Sequence, residues 1–193
     1  MSDNIRVLGI AGSLREGSYN RAALRAAIEL APEGMTIETF DIGGIPPFNQ
    51  DDEANPPEIV AEFKRKIREA DAILISSPEY NYSIPGVLKN AIDWASRPYG
   101  DSAWDGKPAA IMGASPGAIG TARMQYHLRQ TMVFLNMFPL NRPEVMIGNA
   151  AKRFDEQGNL TDETTREFIQ KQLQALADWT VRLRPSERSA GSA

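Results

Sequence analysis

Residues 5–20, IRVLGIAGSLREGSYN, contain the pattern that decides the fold. An apolar run over residues 5–10 predicts a buried strand, which ends at Gly12. From Ser18 onwards, alanines and leucines recur at helical spacing until Pro32 stops the helix. A buried strand, a glycine-containing turn and a helix in this order are typical of the first half of a βαβ unit.

The same alternation continues along the chain. Further strands are predicted at residues 35–40, 71–77, 107–115 and 144–148, and further helices at 57–69, 84–96, 119–136 and 161–184, the last with Thr161 as its N-cap. Residues 41–57 are rich in Gly, Pro and Asp and predict a long loop. This alternation predicts an α/β fold, a flavodoxin-like doubly wound parallel sheet of five strands in the order 2-1-3-4-5 with helices on both faces. We expect one domain over residues 1–184 and a disordered tail over 185–193, which has almost nothing to bury.

Composition and charge exclude several classes of function. The chain has 193 residues and a formal net charge of −4, which argues against general binding of nucleic acid. No stretch approaches the roughly 18 apolar residues that span a membrane, and no signal peptide is recognised. The absence of cysteine excludes disulfides, a thiolate nucleophile and cysteine-ligated metals. These features together lead us to expect a cytoplasmic protein. We also expect no metal site, because the single histidine, His127, lacks neighbouring carboxylates.

The first turn, which follows the first strand, carries groups suited to a phosphate. Ser13 and Ser18 offer hydroxyls, and Asn20 offers an amide and a helix cap. Arg15 adds a planar cation, and the first N–H groups of the next helix add partial positive charge. The same residues fit a serine-rich helix cap with a solvent-exposed arginine equally well. Neither the Walker A nor the G-x-G-x-x-G pattern is present, which excludes ATP and disfavours a dinucleotide fold.

The second turn, SSPEYNYSIPG at residues 76–86, carries aromatic and amide side chains. Pro78 ends the third strand, and the following Tyr80 and Asn81 offer flat apolar surface with hydrogen-bonding groups. Such a surface suits one face and edge of a heterocycle. The alternative is an ordinary surface turn whose tyrosines pack on neighbouring helices.

Three motifs together resemble those of the NADPH-dependent FMN reductases, most of all the bacterial chromate and quinone reductases. They are GSLREGSYN at residues 12–20, PEYNYSIPGVLKNAIDW at 78–94 and GASPGAIGTARMQYHLRQ at 113–130. The resemblance extends from about residue 5 to the last helix. It implies FMN bound without covalent attachment and NADH or NADPH as co-substrate.

The resemblance also implies which residues hold the cofactor. The FMN phosphate would lie on the first turn, with cofactor-binding residues Ser13, Leu14, Arg15, Ser18, Tyr19 and Asn20. The isoalloxazine ring would contact Pro78, Glu79, Tyr80 and Asn81, with Ser115 and Gly117 closing the far side. No side chain is expected to be catalytic, because hydride chemistry belongs to the cofactor. Glu79 is interpreted as a positioning residue and surface charge rather than as a general acid.

The function implied is that of an FMN-dependent NAD(P)H:acceptor oxidoreductase with a ping-pong cycle. Its acceptors would be quinones, with chromate, ferric complexes and azo compounds as further candidates. One alternative is a flavodoxin-type electron carrier, although such carriers dock through strongly acidic surfaces and a charge of −4 is mild. Another is a nucleoside-processing enzyme of the same architecture, for which Glu79 is the one suitably placed carboxylate.

The resemblance further implies a homodimer or a homotetramer, with the segment after PEYN in the dimer contact. Arg123, Tyr126 and Glu144 match positions that join dimers into tetramers in similar proteins. His127 is interpreted as a helix-face or interface residue, and Trp94 and Trp104 as anchors of the core and of a neighbouring loop.

Overall fold

The computed structural model describes residues 4–184, which form one parallel sheet with helices on both faces. Within this range the strands are β1 (Ile5–Ala11), β2 (Met35–Phe40), β3 (Ala72–Ser76), β4 (Pro108–Ala114), β5 (Phe138–Pro139) and β6 (Val145–Ile147). The helices are α1 (Tyr19–Glu29), α2 (Glu58–Glu69), α3 (Gly86–Ala95), α4 (Ala122–Phe134) and α5 (Glu163–Leu183). The strand order β2-β1-β3-β4-β5 confirms the predicted flavodoxin-like fold. The predicted tail over 185–193 lies outside the described residues.

Each face of the sheet packs against its own set of helices, because successive residues of a strand point to opposite faces. In β3, Ile73 and Ile75 belong to the cluster that includes buried residues of α2, α3 and α4. Ala72 and Leu74 belong to the cluster that includes buried residues of α1 and α5. Every residue of β3 and β4 is buried, as expected for central strands of a parallel sheet. None of the helices in the described range is long and apolar enough to cross a membrane.

Two buried tryptophans hold loops against the first of these clusters. The indole N–H of Trp94 donates to the carbonyl of Pro46 at 2.8 Å, and that of Trp104 donates to the carbonyl of Ile92 at 3.1 Å. Both side chains are almost completely buried. Their interpretation as anchors is confirmed.

The fifth position of the sheet differs from the prediction of one strand at 144–148. Two short strands occupy it instead, and β5 and β6 pair with successive parts of β4. The residues between them include Pro143, which has no N–H to contribute to a ladder. The buried amide of Gln172 donates to the carbonyls of Ile111 and Pro143, and that of Gln125 donates to the carbonyl of Val145. Side chains therefore supply hydrogen bonds where the strand is interrupted.

The helix after β4 starts later than predicted. Residues 115–121 form a turn in which Gly120 has a φ of +63°, a left-handed conformation that glycine adopts readily. α4 therefore begins at Ala122 and not at residue 119. It ends before Asn136, which also has a positive φ, of 53°.

The last helix has a different N-cap from the predicted Thr161. Asp162 is the N-cap, and its carboxylate accepts a hydrogen bond from the N–H of Thr165 at 2.8 Å. The same carboxylate forms an ion pair with Arg153 at 2.6 Å. Hydrogen bonds from Thr165 lower the pKa of the Asp162 carboxyl from its usual value, and Arg153 adds to this.

The loop predicted over 41–57 contains two 3-10 turns, Ile42–Gly44 and Gln50–Asp52. Asp41 caps the first of them by accepting from the N–H of Gly43 at 2.9 Å. Its carboxylate also pairs with Arg21 of α1 at 3.2 Å. The loop is thereby attached to the helix that follows β1.

Candidate functional site

Three turns meet at the carboxyl edge of the sheet, after β1, β3 and β4. They are the first turn (residues 12–18), the second turn (77–83) and the third turn (115–121). The N–H of Gly12 donates to the carbonyl of Ser76 at 2.9 Å, and that of Ser77 donates to the carbonyl of Met112 at 3.1 Å. A Cβ on Gly12 would lie 2.3 Å from the Ser77 hydroxyl, so the first and second turns are in direct contact. The three turns therefore form one surface, at the edge where ligands bind in this fold.

The first turn gathers polar groups at the N-terminus of α1. Ser13 and Ser18 are buried, and the Ser18 hydroxyl caps the helix by accepting from the N–H of Asn20 at 3.2 Å. The guanidinium of Arg15 lies 5.8 Å from the centre of the Tyr19 ring, and within residues 4–184 it forms no ion pair with a carboxylate. Two hydroxyls, a cation without an anionic partner in this range and a helix N-terminus suit a bound anion.

Asn20 has a role that the sequence does not reveal. Its side-chain amide donates to the carbonyl of Ala114 at 2.9 Å and accepts from the N–H of Ala114 at 2.8 Å. The side chain is buried, and Ser18 rather than Asn20 is the helix cap. Asn20 therefore fixes the end of β4, and the third turn that follows it, against the first turn.

Replacing Asn20 by leucine is expected to lower the free energy of unfolding by about 3 kcal/mol. The leucine would leave the buried N–H and C=O of Ala114 without these partners, at a cost of about 1–3 kcal/mol for each group. Urea denaturation measures the change. Asn4→Leu is the control, because the Asn4 amide makes an exposed bond to Thr36 and its loss should change stability by no more than about 0.5 kcal/mol. Equal denaturation midpoints for the two variants would contradict this role of Asn20.

The second turn is a tight reversal over residues 80–83. The N–H of Tyr80 donates to the carbonyl of Ser83 at 3.2 Å, and the reverse bond is 2.9 Å. Asn81 and Tyr82, at its centre, have φ values of 51° and 65°, a left-handed conformation that costs free energy outside glycine. Tyr82 is 70% exposed and Tyr80 is about half exposed, whereas Pro78 is buried. The second turn thus presents two exposed tyrosines.

The interpretation of Glu79 as a surface charge is wrong, because its side chain is buried and paired. Its side chain is only 6% exposed, and its carboxylate forms an ion pair with Arg123 at 2.6 Å. The carboxylate also accepts hydrogen bonds from the backbone N–H groups of Arg123 and Met124. The proposal of a nucleoside-processing enzyme needs a free nucleophilic carboxylate, and Glu79 does not provide one.

The third turn is bonded to the segment that follows β6. The N–H of Ser115 donates to the carbonyl of Ile147 at 2.9 Å, and the N–H of Asn149 donates to the carbonyl of Gly117 at 3.1 Å. The Ser115 hydroxyl accepts from the N–H of Gly117 at 3.1 Å. These bonds hold Ser115 and Gly117 at the carboxyl edge, directly after the residue that Asn20 holds.

The residues of α4 that were expected at an interface have partners within the chain. Arg123 pairs with Glu79. The Tyr126 hydroxyl is hydrogen-bonded to the carboxylate of Glu144, which raises the pKa of the tyrosine. His127 is exposed on the helix face and contacts the second turn. Its interpretation as a helix-face residue is confirmed.

Two features of the site have no counterpart in the sequence-based prediction. A Cβ on Gly113 of β4 would lie 2.1 Å from the Thr121 hydroxyl and 2.4 Å from the carbonyl oxygen of Ser77. A glycine inside an apolar strand is itself a signal of close approach, and it could have identified this residue. The contact between Glu79 and Arg123 joins residues 44 positions apart, and no local pattern indicates it.

The fold and the arrangement of the three turns define a flavodoxin-like protein. The chain belongs to the NADPH-dependent FMN reductase family, whose model matches residues 5–152. An NAD(P)H-dependent FMN reductase of Pseudomonas aeruginosa is 62% identical over 185 residues, which cover 95% of this chain and 100% of that protein. A 2-hydroxy-1,4-benzoquinone reductase of a Burkholderia species is 45% identical over 175 residues, which cover 91% and 96%.

A solved structure leads to the same family. FerB, a flavoenzyme NAD(P)H:(acceptor) oxidoreductase from Paracoccus denitrificans, superimposes with a TM-score of 0.85 at 39% identity, over 92% of this chain and 98% of that one. The protein is an FMN-containing, NAD(P)H-dependent reductase. The electron-carrier alternative is not supported, because these matches are to reductases.

Proposed function

We propose that the three turns bind one FMN, with its phosphate on the first turn and its ring between the second and third turns. The observation that carries this proposal is the donor set of Arg15, Ser13 and Ser18 at the N-terminus of α1, which suits a phosphate monoester. The proposed phosphate-binding residues are Ser13, Leu14, Arg15, Ser18, Tyr19 and Asn20, the last through its backbone. The proposed ring-binding residues are Pro78, Glu79, Tyr80, Asn81, Ser115 and Gly117.

The chain itself contributes binding and orientation to the reaction. Bound FMN would supply the redox chemistry between NAD(P)H and an acceptor. Tyr80 and Tyr82 are exposed at the second turn, and we propose that a nicotinamide and an acceptor bind there in turn. This arrangement supports a ping-pong cycle in which no side chain needs to act as a nucleophile.

Quinones are the acceptors that we propose, with chromate, ferric complexes and azo compounds as further candidates. The relative from Burkholderia is named for a benzoquinone, and its identity of 45% extends over nearly the whole chain. An open surface with exposed aromatic rings also suits a flat acceptor.

A homodimer is the proposed assembly, and a homotetramer is the alternative. Val133 and Phe134 near the end of α4 are each 79% exposed, and Tyr126 on the same helix is also exposed. An apolar surface of this kind is typical of a protein interface. Sedimentation velocity measures the mass directly, and a monomer at micromolar concentration would contradict the proposal.

We also propose that residues 1–184 form a single domain and that the protein acts in the cytoplasm. One sheet includes strands from the beginning to the end of the described range, which supports the single domain. The need for NAD(P)H supports the location.

An anaerobic titration tests the function. We expect the purified protein to be yellow, to lose its flavin absorbance on addition of NADPH or NADH, and to recover it on addition of one equivalent of 1,4-benzoquinone. Steady-state rates with varied nucleotide and quinone should give parallel double-reciprocal lines. A yellow protein that both nucleotides leave oxidised would indicate an electron carrier. A colourless protein that takes up no added FMN would contradict the proposal altogether.

A further inference from the structure

Glu79 caps a helix that lies far from it in sequence. One oxygen of its carboxylate accepts from the N–H of Arg123 at 3.0 Å and from the N–H of Met124 at 3.1 Å, in the first turn of α4. The local N-cap residue, Thr121, makes no side-chain hydrogen bond to these groups. Glu79 therefore satisfies N–H groups that a helix leaves without partners at its start.

The second carboxylate oxygen of Glu79 connects it to the second turn through Arg123 of α4. It accepts from the Nε of Arg123 at 2.6 Å, and Nη2 of the same guanidinium lies at 2.6 Å. The guanidinium lies 3.6 Å from the centre of the Tyr82 ring, at cation–π distance. Glu79, which precedes the reversal, and Tyr82, which lies within it, are thus joined through one arginine of α4.

A second contact attaches the other end of the same turn to α4. The hydroxyl of Ser83 lies 2.8 Å from Nδ1 of His127, one helical turn after Arg123. Between these attachments lie Asn81 and Tyr82, whose positive φ values must be offset by surrounding interactions. The conformation of the second turn is therefore maintained by α4 rather than by the turn sequence alone.

The surroundings of Glu79 do not suit proton transfer. Both carboxylate oxygens accept hydrogen bonds, one from two backbone N–H groups and the other from a guanidinium. The side chain is 6% exposed, so water has little access to it. A carboxylate held in this way is a structural acceptor and not a general acid.

We propose that Glu79 is a positioning residue that holds the second turn in the conformation that receives the isoalloxazine ring. The proposal rests on the placement of FMN described above. On this proposal Glu79 affects FMN binding by fixing the position of Tyr80 and Asn81. Its carboxylate does not deliver a proton or a charge to the flavin.

The test compares Glu79→Ala and Glu79→Gln with a matched control, Asp162→Ala. Asp162 also caps a helix and pairs with an arginine, but it lies outside the three turns. For each purified protein, FMN affinity is measured by fluorescence titration of the apoprotein, the bound flavin by visible circular dichroism, and stability by thermal unfolding. Wild-type protein is measured first, and failure of wild-type protein to bind FMN would contradict the FMN placement itself.

We expect Glu79→Ala to weaken FMN binding by about tenfold or more and to change the visible circular dichroism of the bound flavin. Glu79→Gln, whose amide oxygen can still accept from the two backbone N–H groups but whose NH2 cannot accept from the Arg123 guanidinium, should restore part of the affinity. Asp162→Ala should lower the melting temperature but leave the FMN affinity within about twofold of wild type. The proposal would be overturned if Glu79→Ala bound FMN as tightly as wild type. It would also be overturned if Glu79→Ala and Asp162→Ala lost FMN affinity and stability to the same extent. Steady-state turnover with NADPH and 1,4-benzoquinone is measured as well, and unchanged FMN binding with equal loss of turnover in Glu79→Ala and Glu79→Gln would also overturn the proposal, since that result indicates an acid.

Discussion

Replacing Gly113 with alanine is expected to lower the free energy of unfolding by about 3 kcal/mol and to weaken FMN binding at the same time. The new Cβ would lie 2.1 Å from the Thr121 hydroxyl and 2.4 Å from the Ser77 carbonyl oxygen. Thr121 and Ser77 are completely buried, so neither can move aside into solvent. Relief of the clash requires the second and third turns to separate, and these are the turns proposed to hold the ring.

Gly86→Ala is the matched control for this prediction. Gly86 is the first residue of α3, and a Cβ built there would meet nothing within 4 Å. Alanine should be tolerated at this position, with a change in stability of no more than about 1 kcal/mol in either direction. Urea denaturation and FMN titration of the two variants measure the difference. A Gly113→Ala protein as stable and as tightly bound to FMN as Gly86→Ala would show that the turns are not packed as described.

The second large effect is expected from Arg15→Ala, which should weaken FMN binding by about 10-fold to 100-fold. The substitution removes a charge-assisted contact to the phosphate, worth about 1.5–3 kcal/mol. It should leave the stability of the apoprotein almost unchanged, because Arg15 is exposed and has no ion pair within the described part of the chain. Fluorescence titration of the apoprotein with FMN measures the effect.

Two comparisons show whether the loss arises at the phosphate. Riboflavin has no phosphate, so wild-type protein and Arg15→Ala should bind it equally. Arg6→Ala removes the same charge near the start of β1, at the opposite edge of the sheet, and it should leave FMN affinity unchanged. If Arg15→Ala weakened riboflavin binding as much as FMN binding, the phosphate would not lie on Arg15.

The parts of the fold that sequence predicts correctly are those with strong local patterns. The apolar runs of β3 and β4 are buried on both faces, and that burial is why they lack the alternation of a half-exposed strand. The glycine and serine residues after β1 predict a turn before a helix, and Ser18 caps α1 there, because the hydroxyl and the helix N-terminus are adjacent in the chain. Anion binding at this turn stays a prediction.

The parts that sequence does not predict depend on contacts between distant residues. Thr161 and Asp162 are both common N-cap residues, and the ion pair of Asp162 with Arg153 accompanies the start that the structure adopts. The bonds of Asn20 to Ala114 join residues 94 positions apart, and nothing near Asn20 indicates them. Sequence therefore identifies the turns of the site but not the side chains that hold the turns together.

A crystal structure of the protein with FMN tests the central claim, that the three turns form one flavin site, most directly. We expect one FMN per chain, with phosphate oxygens within hydrogen-bond distance of Ser13, Ser18 and Arg15 and the ring against the second turn. The cleft of about 270 Å³ between α1 and the end of β2, lined by Arg21 and Asp41 among others, should remain without flavin. FMN bound in that cleft, with Arg15 making no contact to the phosphate, would contradict the account.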